Sequence, residues 1–196
     1  MIYKKNKSSN FSKHIKWFWV IFFVGVLSIP AIFLFASFGF MGQMPDHTAL
    51  ENPRTNLATE IISSDGVTIG KFYYRDNRTP VGFDELPNHL VDALIATEDR
   101  RFEDHAGIDF KGTLRAIIKL GKDGGGSTIS QQLAKQLFHG EGSKNKFGRI
   151  IQKIKEWVIA IRLEKQYTKQ EIITQYFNIY DFGNNADGIR SASRIY

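Results

Sequence analysis

From Trp17 to Phe40 the chain is almost wholly apolar and carries no charge. As a helix rising 1.5 Å per residue this run spans roughly 36 Å, enough to cross a bilayer with some tilt. Pro30 and Ser28 are tolerable inside a membrane helix. Polar residues 41–56 read as a linker. Leu57–Ile62 and Val67–Tyr74 are rich in β-formers, and Asp65-Gly66 between them signals a hairpin turn. From Pro87 the period changes to that of helices. Asn88 to about Arg101 places Leu90, Val91, Leu94 and Ile95 on one face. Further helices are expected over Phe110–Leu120 and Thr128–Phe138. His139–Gly148, with three glycines and two lysines, is expected to be a mobile loop. Phe147–Lys165 is a long amphipathic helix whose apolar stripe is Phe147, Ile150, Ile151, Ile154, Trp157, Val158 and Ile161. Thr168 caps a helix to Ile179, with Glu171 completing a capping box. Gly183–Tyr196 is a turn entering a short helix. The pattern is that of a mainly α domain with a small N-terminal β-hairpin, preceded by one apolar helix.

Charge changes the reading of the N-terminus. Residues 1–16 hold five lysines and no acid, so of the net +6 only about +1 belongs to the remaining residues. The first 16 residues read as a disordered basic tail. By the positive-inside rule it lies in the cytoplasm, with everything after residue 40 outside. A cleaved signal peptide is the alternative. The apolar run is long for one, and no A-x-A site follows. A basic balance confined to a tail argues against nucleic acid as a partner. Without cysteine there are no disulfides or thiolate metal sites.

Candidate chemistry concentrates between Ala96 and Phe138. Glu98 and Asp99 fall near a helix end, where the dipole and a like charge both hold a proton on a carboxyl group. That suits general acid or base work. The alternative is a solvated helix end paired with Arg100 and Arg101. Gly124-Gly125-Gly126-Ser127-Thr128 opens a helix whose free N–H groups suit phosphate. Thr128 and Gln131 form a capping box there. Lys135 lies two turns in, on the face of Thr128, Gln131 and Gln132. An ordinary flexible turn and a solvated face is the other reading. Arg149, Gln152, Lys153 and Glu156 share a helix face, read either as a second carboxylate among cations or as a solvated ion-pair face. His105 and Asp109 match no standard metal spacing, and a structural role in their turn is favoured. The aromatic residues of YFNIYDFG are most simply core.

Taken together, these stretches resemble the peptidoglycan glycosyltransferases, the polymerase domain of class A penicillin-binding proteins and their monofunctional relatives. EDRRFEDHAGID (Glu98 to Asp109), GGSTISQQLAKQ (Gly125 to Gln136), KIKE (Lys153 to Glu156), KQEIITQYFN (Lys169 to Asn178) and GIRSASRIY (Gly188 to Tyr196) match the five family motifs in order. The resemblance covers residues 57–196. It implies a lysozyme-like helical fold, incomplete at its C-terminal end, on an N-terminal fragment anchored in the bacterial inner membrane.

The implied activity is polymerisation of lipid II into glycan strands, with inversion and release of undecaprenyl diphosphate. The implied partners are lipid II, the growing strand, membrane lipids and other cell-wall synthesis proteins. Carried over by motif, Glu98 is the general base and Glu156 assists at the donor side, near the diphosphate or a divalent cation (Mg or Mn). No organic cofactor is implied. Lys135 and Lys153 steady the diphosphate, with Asp99, Gly126, Ser127, Thr128, Gln132 and Arg149 as further substrate-binding positions. Phe102, His105, Gly107, Asp109 and Asn178 are structural motif positions. The chain departs from the pattern at Gln152, where arginine is common, and at Thr174, where glutamate is. A lytic enzyme of the same fold and a non-catalytic membrane-tethered scaffold are the rival functions.

Overall fold

The computed structural model describes residues 8–42, 44–45, 59–72, 78–119, 125–138 and 145–196. The chain divides into two units, up to Met44 and from Pro45 onward.

The first unit is one helix, α1 (Ser8–Ser37), with Pro30 inside it. It starts well before the expected Trp17, so the second half of the expected disordered tail is helical. It ends at Ser37 rather than Phe40, where Gly39 and Gly42 take positive φ in the turn that follows. Ser12–Ser37 is long and apolar enough to cross a membrane. Its Trp17, Phe18, Ile21, Val24 and Leu27 are exposed.

The second unit begins with a hairpin. Strands β1 (Thr59–Ile62) and β2 (Thr68–Phe72) pair antiparallel, Thr59 opposite Phe72. Gly66 supplies the positive φ of the turn. Residues 46–58 of the expected linker and first strand, and Tyr73–Tyr74, lie outside the described residues.

Five helices build the body: α2 (Asn88–Glu98), α3 (Phe110–Ile118), α4 (Ile129–Phe138), α5 (Lys146–Gln166) and α6 (Lys169–Ile179). A short α7 (Ile189–Ile195) follows. Helix α4 is the hub, packed against α5 and α6. Its Ile129, Leu133 and Ala134 are fully buried beside Ile159, Ala160 and Leu163 of α5 and Ile172 of α6. The expected cap on α6 is formed. Glu171 N donates to Thr168 Oγ1 at 3.3 Å, and Thr168 N donates to Glu171 Oε2 at 2.7 Å.

Two expectations about α5 need correcting. Residues 139–144 of the expected mobile loop lie outside the described residues, but 146–148 are already helical, capped by Asn145 Oδ1 accepting from Gly148 N. The apolar stripe also does not define the buried face. Phe147 and Ile150 are exposed, whereas Glu156, Ile159, Ala160 and Leu163 point inward. Periodicity shows which residues share a face. It does not show which face meets the neighbouring helices.

Candidate active site

Glu98 is the last residue of α2 and its side chain is exposed. It borders two cavities, of about 500 Å³ and about 1080 Å³, that share Thr97, Glu98, Gly125 and Ser127 along their boundary. Gln132, one turn into α4, donates Nε2 to Glu98 Oε2 at 2.7 Å. Gln132 Oε1 in turn accepts from the Tyr176 hydroxyl at 3.1 Å. Among the described residues Glu98 Oε1 has no hydrogen-bond partner. The alternative of a helix end paired with its arginines is not what forms. Arg100 Nε donates to the Ala96 carbonyl, and Arg101 turns to Asp109.

Asp99, the next residue, goes the other way. It is 7% exposed, accepts from Ile129 N at 3.2 Å and meets His105 Nε2 at 3.0 Å. It therefore caps α4 from a distance and ties the turn after α2 to it. Thr128 and Gln131 are buried as well. Thr128 Oγ1 donates to the Gly107 carbonyl at 2.7 Å and accepts from Gln131 N at 3.2 Å. Gln131 Nε2 also goes to the Gly107 carbonyl, at 3.2 Å, so only half of the expected capping box exists. At the expected phosphate-binding helix start the N–H groups of Ile129 and Gln131 are already taken by Asp99 and Thr128, which shifts the expected anion contacts toward side-chain cations.

Those cations line the larger cavity: Lys135 on α4, and Arg149 and Lys153 on α5. Lys153 Nζ lies 2.7 Å from Ser127 Oγ and 3.2 Å from Glu156 Oε2. Glu156 is 5% exposed, which corrects its reading as part of a solvated face. Gln152 Nε2 donates to its Oε1 at 3.2 Å. The residue that departs from the motif thus neutralises a lone pair that would otherwise be buried unsatisfied.

Among the described residues there is no preformed cage for the expected divalent cation. Both Glu156 oxygens already take N–H donors and an ammonium sits against one of them. Among the described residues no cluster of His, Asp and Glu could complete a donor set.

The structural motif positions hold the floor of the site. Gly107 has φ +91°, and a Cβ there would fall 2.8 Å from the Ala160 backbone, so the turn lies directly on α5. Asp109 accepts from Gly112 N at 2.9 Å, capping α3, and takes Arg101 Nη2 at 2.5 Å. Burial pushes the Asp109 carboxyl up, but Arg101, the Gly112 N–H and His105 outweigh it and hold the group below the usual carboxylate range. Gly126 passes close to α3, where a Cβ would meet Ala116 Cβ at 2.9 Å. Asn178 exchanges two bonds with the Val81 backbone, 2.8 Å from its N and 2.9 Å from its O. Phe102 is fully buried beneath the Lys169 ammonium, which lies 4.2 Å from its ring centroid.

Sequence reasoning missed three members of this assembly. Tyr176 reads from the sequence as core, and it is 3% exposed, but its hydroxyl reaches the site. The available signal was that a buried phenol needs a partner. Glu164 and Lys169 form a 2.7 Å ion pair across the break between α5 and α6. Their spacing matches no helical pairing rule and carries no local signal.

The helical domain thus sets one carboxylate, exposed, between two cavities and a second, buried, among basic groups, an arrangement suited to acid–base chemistry beside a cationic pocket. Comparison with known sequences makes this specific. The family model described as Transglycosylase matches residues 65–196, and the chain belongs to that family. Its similar relatives include penicillin-binding protein 1A of Pseudomonas aeruginosa, 35% identical over 94% of this chain and 22% of the relative. Penicillin-binding protein 1F of Bacillus subtilis is 39% identical over 72% of this chain and 20% of the relative. Penicillin-binding protein 1A of Escherichia coli is 38% identical over 79% and 18%. The chain spans about a fifth of the length of these curated relatives.

Proposed function

We propose that this protein is a peptidoglycan glycosyltransferase that polymerises lipid II at the outer face of the bacterial inner membrane. The reading places α1 in the bilayer, the basic N-terminus in the cytoplasm and the helical domain outside. The observation that carries it is Glu98 on the boundary of two cavities, one of them lined by Lys135, Arg149 and Lys153. Glu98 Oε1 takes the proton from the acceptor sugar 4-hydroxyl. The acceptor 4-hydroxyl oxygen bonds to donor C1 as the C1–O bond to the diphosphate breaks, with inversion. The diphosphate leaves with the bonding electrons towards the three cations, whose preorganised charge stabilises it as it departs. Glu156 holds Lys153 in place through their 3.2 Å contact. On this reading a divalent cation arrives bound to the diphosphate, since among the described residues no cluster of His, Asp and Glu could hold one. Membrane lipids, the growing strand and other cell-wall synthesis proteins are the partners this reading implies.

Glu98→Gln tests it. The amide keeps size and hydrogen bonding but cannot take a proton, and loss of a general base costs about 10²- to 10⁴-fold. Glycan strands formed from lipid II should fall by that factor while lipid II binding is retained. More than about a tenth of wild-type polymerisation would defeat the assignment, being far outside the same range.

A further inference from the structure

An exposed glutamate at a helix end has many rotamers, and only some aim Oε1 at a bound sugar. Among the described residues Glu98 is held at one oxygen, by Gln132 Nε2. Gln132 is half-buried, and its amide can turn over to present either its donor or its acceptor end. Whatever fixes that amide also fixes the carboxylate.

We propose that Tyr176 is a positioning residue for Glu98, acting through Gln132. The inference rests on the assignment of Glu98 as base. The Tyr176 ring is buried and packed on two aromatic neighbours. It is 3% exposed, stacked on Tyr180 at 5.0 Å and set edge-on to Phe177 at 6.0 Å. Its hydroxyl donates to Gln132 Oε1 at 3.1 Å, which leaves only the NH₂ end of the amide for Glu98. Burial, Tyr180 and the Glu98 charge all push the phenol above its ordinary pKa, so it remains a donor throughout the physiological range. The opposite orientation would set the amide oxygen against the carboxylate. A rigid core side chain thus determines the direction of a mobile surface one, and Glu98 Oε1 is left for the acceptor hydroxyl.

The test is a double-mutant cycle on polymerisation of lipid II by the full chain. Tyr176→Phe removes one oxygen and keeps the ring, so the packing stays. It should lower kcat about two- to twelvefold, the range for one hydrogen bond. KM should stay within about twofold, because the variant touches no diphosphate contact. Gln132→Ala should lower kcat at least as far. The double variant should be no slower than Gln132→Ala alone, since Tyr176 then has nothing to act through. Wild-type kcat in Tyr176→Phe overturns the inference. So does a double variant whose loss is the product of the two single losses, which is the signature of an independent structural role. Loss of activity in Glu98→Gln with normal Tyr176→Phe removes this inference alone. An active Glu98→Gln removes it together with the base assignment.

Discussion

Lys169 should be worth more to this domain than its position near the surface suggests. Its ammonium lies 2.7 Å from Glu164 Oε2, 2.7 Å from the His105 carbonyl and 4.2 Å from the Phe102 centroid. Glu164 also accepts from Ser130 Oγ at 2.5 Å and its side chain is 4% exposed, against 23% for Lys169. Water therefore reaches the cation and scarcely reaches the carboxylate. Lys169→Met removes the cation and leaves the carboxylate buried with one hydroxyl donor. Breaking a buried pair from one side costs about 3–5 kcal/mol. The exposure of Lys169 moves the expectation to the lower half of that range. Loss of the donor to His105 adds about 1 kcal/mol. A total of about 4 kcal/mol is a large part of the 5–15 kcal/mol that holds a domain together. It should lower Tm by roughly 10 °C at this chain length. Urea unfolding followed by far-UV circular dichroism would read it as a lower midpoint at unchanged slope. Adding Glu164→Gln should recover much of the loss, because the penalty comes from the stranded charge. A cost below about 1 kcal/mol for Lys169→Met would refute this reasoning, as that is the range of a solvated surface pair. A double variant less stable than the single would refute it too.

Gly107→Ala should destabilise by at least about 2 kcal/mol in the same assay, combining a strained positive φ with backbone contact at 2.8 Å. A neutral result would mean that the turn does not rest on α5. For Asp109, the folded pKa lies below the ordinary value, so its contribution is present above about pH 4 and is lost as pH falls through the folded pKa. Asp109→Asn should be less stable than wild type at neutral pH, and the gap in urea midpoint should close on acidification. A gap that stays constant down to about pH 2 would contradict the sign of the shift.

The existence of the helices, and the cap of α6, were legible because they depend on neighbours in the chain. Thr168 and Glu171 meet within one turn, and the sequence pattern identifies both. Facing was less legible. Phe147 and Ile150 fit the stripe of α5 as well as Val158 does, yet only Val158 is buried. What decides between them is contact with α4 and α6, which no local period contains. The same limit hid the pairing of Glu164 with Lys169 and the reach of Tyr176 to Gln132, 44 positions apart.

The carboxylate pair shows most directly where local reading stops. Spacing placed Glu98 and Asp99 together as one acidic end, and it could not divide their work. The division is made by the backbone. Glu98 is the last helical residue, whereas Asp99 leaves the helix at φ −154° and ψ 76°. That change of dihedral turns the second side chain away from the first. One carboxylate remains at the boundary of the cavities. The other is carried inward to Ile129 N and His105. A helix ending one residue later would place Asp99 on the helical path as well and remove the remote cap of α4. The end of α2 therefore separates two adjacent residues of the same charge, leaving Glu98 in the position the proposed base requires and making Asp99 part of the scaffold.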